Sequence, residues 1–199
     1  MTVIKDGSGT NLLARVDNQN RLHIASIDTS EPSHVSIHDH LTFATIGTTT
    51  ITAATEKTII LLINNTTSTH TIAIDLLRIS LQGETGKPAT FKSYIGRTTY
   101  SSGGVAKTPV NLYANSNNVL DVSVYDNSTN DLVIGGSDSQ IQQAFLESTT
   151  TYDTNFDSAV ILPPNSSFRV TVTGDATAAG TKIAFARVLY FDIDETLHH

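Results

Sequence analysis

The chain has 199 residues, a formal charge of −7, no Cys, no Trp and 39% hydrophobic residues, which suits one domain, or one domain with an appendage, able to bury a core without staples. The absent Cys excludes a disulfide framework and thiolate metal sites. A charged fraction of only 16%, with polarity supplied by Thr, Ser and Asn, excludes a disordered polyampholyte, and an acidic chain without a Lys/Arg cluster is not expected to bind nucleic acid.

The first thirty residues differ from the rest. Met1-Thr2-Val3-Ile4-Lys5-Asp6 is not followed by a signal-peptide core, and no apolar run in the chain reaches membrane-spanning length, so a soluble protein made in a cytoplasm is expected, with no membrane partner. Asp6-Gly7-Ser8-Gly9-Thr10 is a turn, Leu12 to Val16 a short strand, Asp17 to Asn20 another turn and Arg21 to Ile27 a second strand. This predicts one hairpin outside the main body. A lone hairpin is marginal in water, so its Leu12, Leu13, Val16, Leu22, Ile24 and Ile27 should bury themselves against a partner. Asp28 to Ser33 reads as a linker, dividing an arm, 1–32, from a body, 33–199.

The body is patterned for strands. Val35 to Phe43 alternates on its odd positions, with Asp39 the exception, and Leu120 to Tyr125 and Phe168 to Thr173 on their even ones, as half-buried strands do. Between Thr71 and Leu81 the apolar parity runs Ile72, Ile74, Leu76 and then shifts to Leu77, Ile79, Leu81, which predicts a β-bulge. Thr58 to Ile63 and Ile183 to Phe191 are apolar on both faces and belong in the middle of sheets. Turns are expected at Asn64 to Ser68, at Pro163 to Ser166 and between Gly174 and Thr181. Only Ser139 to Ser148 reads equally as a helical turn or a strand. The fold class is therefore all-β, an antiparallel β-sandwich of jelly-roll type with an N-terminal arm.

Candidate chemistry is sparse. His34, His38 and His40 share strand parity, and two His at i and i+2 can chelate Zn. Cupin enzymes place a Glu a few residues after such a pair, whereas the next Glu here is Glu56 in another segment. With the ligand set incomplete, no metal or other cofactor is expected, and a metal on a symmetry axis is the remaining alternative. Asp6-Gly7-Ser8-Gly9 lacks the later acids of a calcium loop and the Lys of a phosphate loop. Asp192-Ile193-Asp194-Glu195 is read as solvated terminal acids rather than as glycosidase carboxylates. No Gly-x-Ser-x-Gly elbow occurs. Asn64, Asn65, Asn127 and Asn165 begin Asn-x-Ser/Thr sequons that a Thr/Ser/Asn-rich chain produces by chance.

Two segments carry a resemblance. Lys5-Asp6-Gly7-Ser8-Gly9-Thr10, with Ala14-Arg15-Val16-Asp17 and Asn20-Arg21-Leu22-His23, resembles the N-terminus of structural proteins of tailed bacteriophage particles. Ile161 to Ser167, with Ala186-Arg187-Val188-Leu189-Tyr190-Phe191, resembles their last hairpin. The resemblance covers about a third of the chain and implies a non-enzymatic virion component, located on the head or the tail and assembled in the host cytoplasm. It names no catalytic residue.

Three functions follow. The first is a capsid decoration, or cement, protein whose arm adds strands to the major capsid protein or another virion protein. The second is a tail or baseplate module that binds a receptor or carbohydrate, against which the absence of Trp platforms counts. The third, a cupin-like metalloenzyme, lacks its acidic ligand. Apolar residues on both faces of the final strand lead us to expect a homotrimer.

Overall fold

A computed structural model describes residues 4–5, 13–16, 22–23, 41–51, 54–83, 88–147, 150–175 and 182–193, with the backbone alone described at 4–5, 13–16, 22–23 and 182. All regular structure among the described residues is β, and no helix there is long and apolar enough to cross a membrane. The arm holds β1 (Ile4–Lys5), β2 (Leu13–Val16) and β3 (Leu22–His23). The body holds β4 (Thr42–Ile51), β5 (Lys57–Asn64), β6 (Thr71–Gln82), β7 (Ala89–Ser102), β8 (Val105–Lys107), β9 (Val110–Asn111), β10 (Val122–Asp126), β11 (Val133–Leu146), β12 (Thr151–Leu162), β13 (Ser166–Gly174) and β14 (Lys182–Ile193).

Two antiparallel sheets pack face to face. Sheet I has the order β11-β7-β13-β5-β10-β8 and sheet II the order β12-β6-β14-β4-β9. Leaving aside the short β8, β9 and β10, the chain crosses between sheets at every step except β7 to β11, which is the winding of a jelly roll. The three short strands form an insertion between β7 and β11.

The core forms where alternation points both sheets inward. From sheet I come Ile60, Leu62, Phe91, Phe168, Val170 and Val172; from sheet II come Phe43, Ile74, Leu77, Ile79, Val188 and Tyr190, all in one buried cluster. Each fully buried aliphatic or aromatic side chain contributes about 1.5–3 kcal/mol by leaving water. The sheets approach closely at Gly47, where a Cβ would lie 2.5 Å from the Ile59 carbonyl oxygen and 2.9 Å from Ile60 Cβ. Glycine is required there to let β4 and β5 meet.

The apolar runs stand where their patterning places them: β5 lies between β13 and β10, and β14 between β6 and β4. The predicted bulge is present, because Leu189 pairs with Leu76 but Tyr190 with Ile74, leaving Asp75 as the extra residue at the parity shift. The ambiguous Ser139 to Ser148 segment is strand as far as Leu146, paired along β7. A larger bulge was not foreseen. Asn155 faces Leu76 and Val160 faces Ile74, so four residues of β12 bow out, with Asp157 and Ser158 at φ 47° and 61°. Left-handed backbone costs a non-glycine residue about 1–2 kcal/mol. The bow brings Phe156 against the core, edge-on to Phe168 at 5.9 Å, which offsets part of that strain.

In the arm, the hairpin gains a strand: Ile4 and Lys5 pair with Ala14 and Leu13, while Arg15 and Val16 pair with His23 and Leu22. These three strands form a sheet of their own. Residues 24–40, with the expected linker and most of the strand expected from Val35, lie outside the described residues, as does 176–181 between β13 and β14.

Candidate binding surface

Of the residues singled out in the arm, Leu13, Val16 and Leu22 lie on β2 and β3, whereas Leu12, Ile24 and Ile27 lie outside the described residues. His34, His38 and His40 also lie outside them. Among the described residues no group of three His, Cys, Asp or Glu is placed to hold a metal.

The C-terminal acids are not uniformly solvated. Asp192 is buried, its backbone N–H donates to the Leu41 carbonyl at 3.2 Å, and its carboxylate meets His70 Nδ1 at 2.7 Å. Among the described residues no hydroxyl bonds the His70 ring; the neighbouring Ser68 hydroxyl engages the backbone N–H and C=O of His70. Two sequon asparagines prove to be structural. Asn64 is fully buried and its amide donates to His70 O at 2.8 Å and Leu162 O at 2.9 Å, tying the end of β5 to sheet II. Buried Asn127 accepts the Leu132 N–H at 3.1 Å.

The insertion is anchored by a buried carboxylate. Asp126, fully buried at the end of β10, receives Lys107 Nζ at 3.0 Å, the Thr48 N–H at 3.2 Å, and the Ser128 hydroxyl and N–H at 2.8 and 3.3 Å. Strand β8, β4 and the turn after β10 are thereby joined at one point. An unpaired buried carboxylate would be expelled or protonated; four donors make it tolerable.

On the outer face of sheet I, polar side chains hold the paired strands β7 and β11 to β13. Arg169 donates from Nε to Asp138 at 2.6 Å and lies 4.3 Å from the centre of the Tyr94 ring. Thr98 Oγ1 donates to the same Asp138 carboxylate at 3.1 Å. The Tyr94 hydroxyl donates to Glu56 at 2.9 Å, and Lys92 Nζ is 3.6 Å from the other Glu56 oxygen. Burial pushes the Glu56 carboxyl up, but the Thr171 and Tyr94 hydroxyls and the charges of Lys92 and Arg169 together outweigh it and hold it below its ordinary value. These groups are engaged with one another, so the network is a clasp rather than an open site.

The open features lie on sheet II and the insertion. On the outer face Ile46 and Val110 are 57% and 63% exposed, and with Leu112 they border a largely apolar depression of about 380 Å³ flanked by Lys107 and Arg187. On the other side of β9 a second cavity, of about 390 Å³, is formed by Pro109, Asn111 and the β9–β10 loop, with Phe43 among the residues lining it. Its loop carries Tyr113, 40% exposed, among Ser116, Asn117 and Asn118. The sequence reading passed over this segment. An aromatic residue set in an Asn/Ser run, Leu112-Tyr113-Ala114-Asn115-Ser116-Asn117-Asn118, was the available signal.

No protein family, no curated protein and no solved structure matches the chain.

Proposed function

We propose that the protein is a non-enzymatic structural component of a tailed-phage virion, a capsid decoration protein whose arm fastens it to the major capsid protein or another virion protein. The observation that carries this reading is the arm's sheet. Strands of two to four residues cannot bury enough surface among themselves to be stable, and among the described residues β1–β3 pair only with one another. A segment so built is suited to completing itself on a neighbouring chain. The phage-like terminal segments support the same reading.

The body suits self-association as well. The outer face of β14 presents exposed Ile183 and half-buried Phe185 and Leu189, and cyclic closure of three copies would bury such surface at about 25 cal/mol per Å².

Immunogold labelling of particles of the phage that encodes the chain tests the proposal. Label on the head lattice is the expected result. Label confined to the tail tip would replace decoration by the receptor-binding reading, and particles without label would overturn both.

A further inference from the structure

The outer face of sheet II carries an unanswered cation. Strand register lines up Asp153, Arg78, Arg187 and Ile46 across β12, β6, β14 and β4. Asp153 holds Arg78 through both Nε and Nη2 at 2.7 Å, which uses its carboxylate. Arg187 stands directly opposite Arg78, with no carboxylate bonded to it among the described residues. Like charges so placed on neighbouring strands are destabilising. Half-buried Arg187 also borders the depression of about 380 Å³ where Ile46, Val110 and Leu112 remain exposed. The face is therefore complementary to a carboxylate carried next to a bulky apolar side chain.

The chain carries such a pair elsewhere. Phe145, 73% exposed, is more exposed than any other aromatic residue described, and it stands on the outer face of β11, since Ala144 and Leu146 turn inward to the core. Glu147 follows two residues later, exposed, and meets no cation among the described residues. β11 is the edge of sheet I beside β12, to which Gln142 bonds through Thr154, whereas β4 and β9 lie at the opposite end of sheet II. Knob and depression thus occupy opposite flanks, and no copy can fill its own. We propose that Phe145 of one copy enters the β4–β9 depression of a second copy, with Glu147 reaching Arg187.

Such a contact is heterologous, with a different patch on each side, so it builds a ring or an open chain of copies. A twofold pairing of the face with itself would return to Arg187 only Asp153 among the described carboxylates of the row, and Arg78 already holds that. An aromatic side chain seated in a pocket and an Arg withdrawn from water are the anchors that dominate protein interfaces. Half-buried Phe185 and Leu189, on the same face as Arg187, would lie at the rim. The inference rests on the self-association proposed above and is independent of where on a virion the protein sits.

Sedimentation equilibrium and native mass spectrometry of the full-length protein over a concentration series test it. Oligomers are expected. Phe145→Ala should weaken association at least about tenfold, and Arg187→Ala and Glu147→Ala several-fold each. Because the last two remove the same ion pair, both together should cost little more than either alone. Val133→Ala, at the far end of β11, should change nothing. Circular dichroism checks each fold; if Arg187→Ala does not fold, Phe145→Ala and Glu147→Ala decide. A monomer at every concentration, oligomers indifferent to these variants, or strictly additive losses for Arg187 and Glu147 would overturn the proposal. Particles without immunogold label would remove the virion reading alone, so the two failures are distinguishable.

Discussion

Gln142 joins the two sheets to Thr154 across their open flank. Its Nε2 donates to Thr154 Oγ1 at 2.6 Å and to the Tyr152 hydroxyl at 3.2 Å on β12, while its Oε1 accepts from Ser93 Oγ at 3.3 Å on β7. β11 and β12 are edges of different sheets, and unpaired edges invite pairing with other chains. The amide stitches these edges where the hydrophobic interior gives way to solvent. Gln142→Ala should cost about 1–2 kcal/mol, from bonds partly replaced by water, and lower Tm by roughly 2–8 °C in calorimetry. An unchanged Tm would show that the stitch contributes nothing to stability.

Local pattern carried the fold a long way. The parity shift at Leu76 and Leu77 located the bulge at Asp75 because a one-residue slip exchanges the faces of everything after it. The segment around Ile141 stayed ambiguous for a physical reason: Ile141, Ala144 and Phe145 have helical spacing, and Phe145, 73% exposed, sits on the face that alternation reserves for polar residues. Only pairing with β7, a non-local fact, settles it as strand. The candidate cavity was less legible, since Phe43 and Tyr113 are brought together by β9 pairing to β4, and nothing near either residue announces that.

Asp126 offers a sharper test of packing. With Asp126→Ala, the half-buried Thr48 N–H loses its acceptor and the Lys107 ammonium, which is 32% exposed, its partner. Because Lys107 can turn to water, the cost falls below the roughly 3–5 kcal/mol of a fully buried pair and comes mainly from the lost hydrogen bonds of the Thr48 and Ser128 N–H groups, about 1–3 kcal/mol. Asp126→Asn, which keeps an acceptor oxygen but not the charge, should fall between the parent and the alanine variant in urea denaturation. Equal stability of all three would mean that the insertion is held without this anchor.

Two carboxylates should move stability in opposite directions with pH. Burial and, after it, the charge of Asp157 raise the Asp75 carboxyl above its ordinary value, so the ionised form is penalised in the fold. The penalty is present above the folded pKa and fades as pH falls through it. Asp75→Asn should therefore raise Tm at pH 7, by no more than about 2 °C for a partly solvated group, with the gain vanishing in acid. Glu56 is held below its ordinary value, so its stabilisation is present above the unfolded pKa and is lost as pH falls through the lower folded one. Glu56→Gln should lower Tm at pH 7 and converge on the parent in acid. Thermal scans from pH 3 to 8 compare both, and a pH-independent offset for either variant would remove the electrostatic account.

Deleting residues 1–32 separates attachment from folding. Among the described residues, both sheets of the body and both buried clusters are assembled from residues at or beyond Leu41, so the truncated chain should keep its all-β dichroism and lose little stability. Attachment should fail. Leu12, Leu13, Val16, Leu22, Ile24 and Ile27 are large apolar residues of the arm, and each can contribute about 1.5–3 kcal/mol on burial against a partner. That gain must exceed the cost of ordering, about 1–2 kcal/mol for each backbone residue fixed, so one arm alone binds weakly. Three arms on a trimer would act together through effective concentration, and the loss on truncation should be correspondingly steep. The measurement is co-sedimentation of intact and truncated protein with shells stripped of it. Equal binding by the two forms would take the arm out of the mechanism, and an unfolded truncated chain would show that residues 1–32 belong to the body.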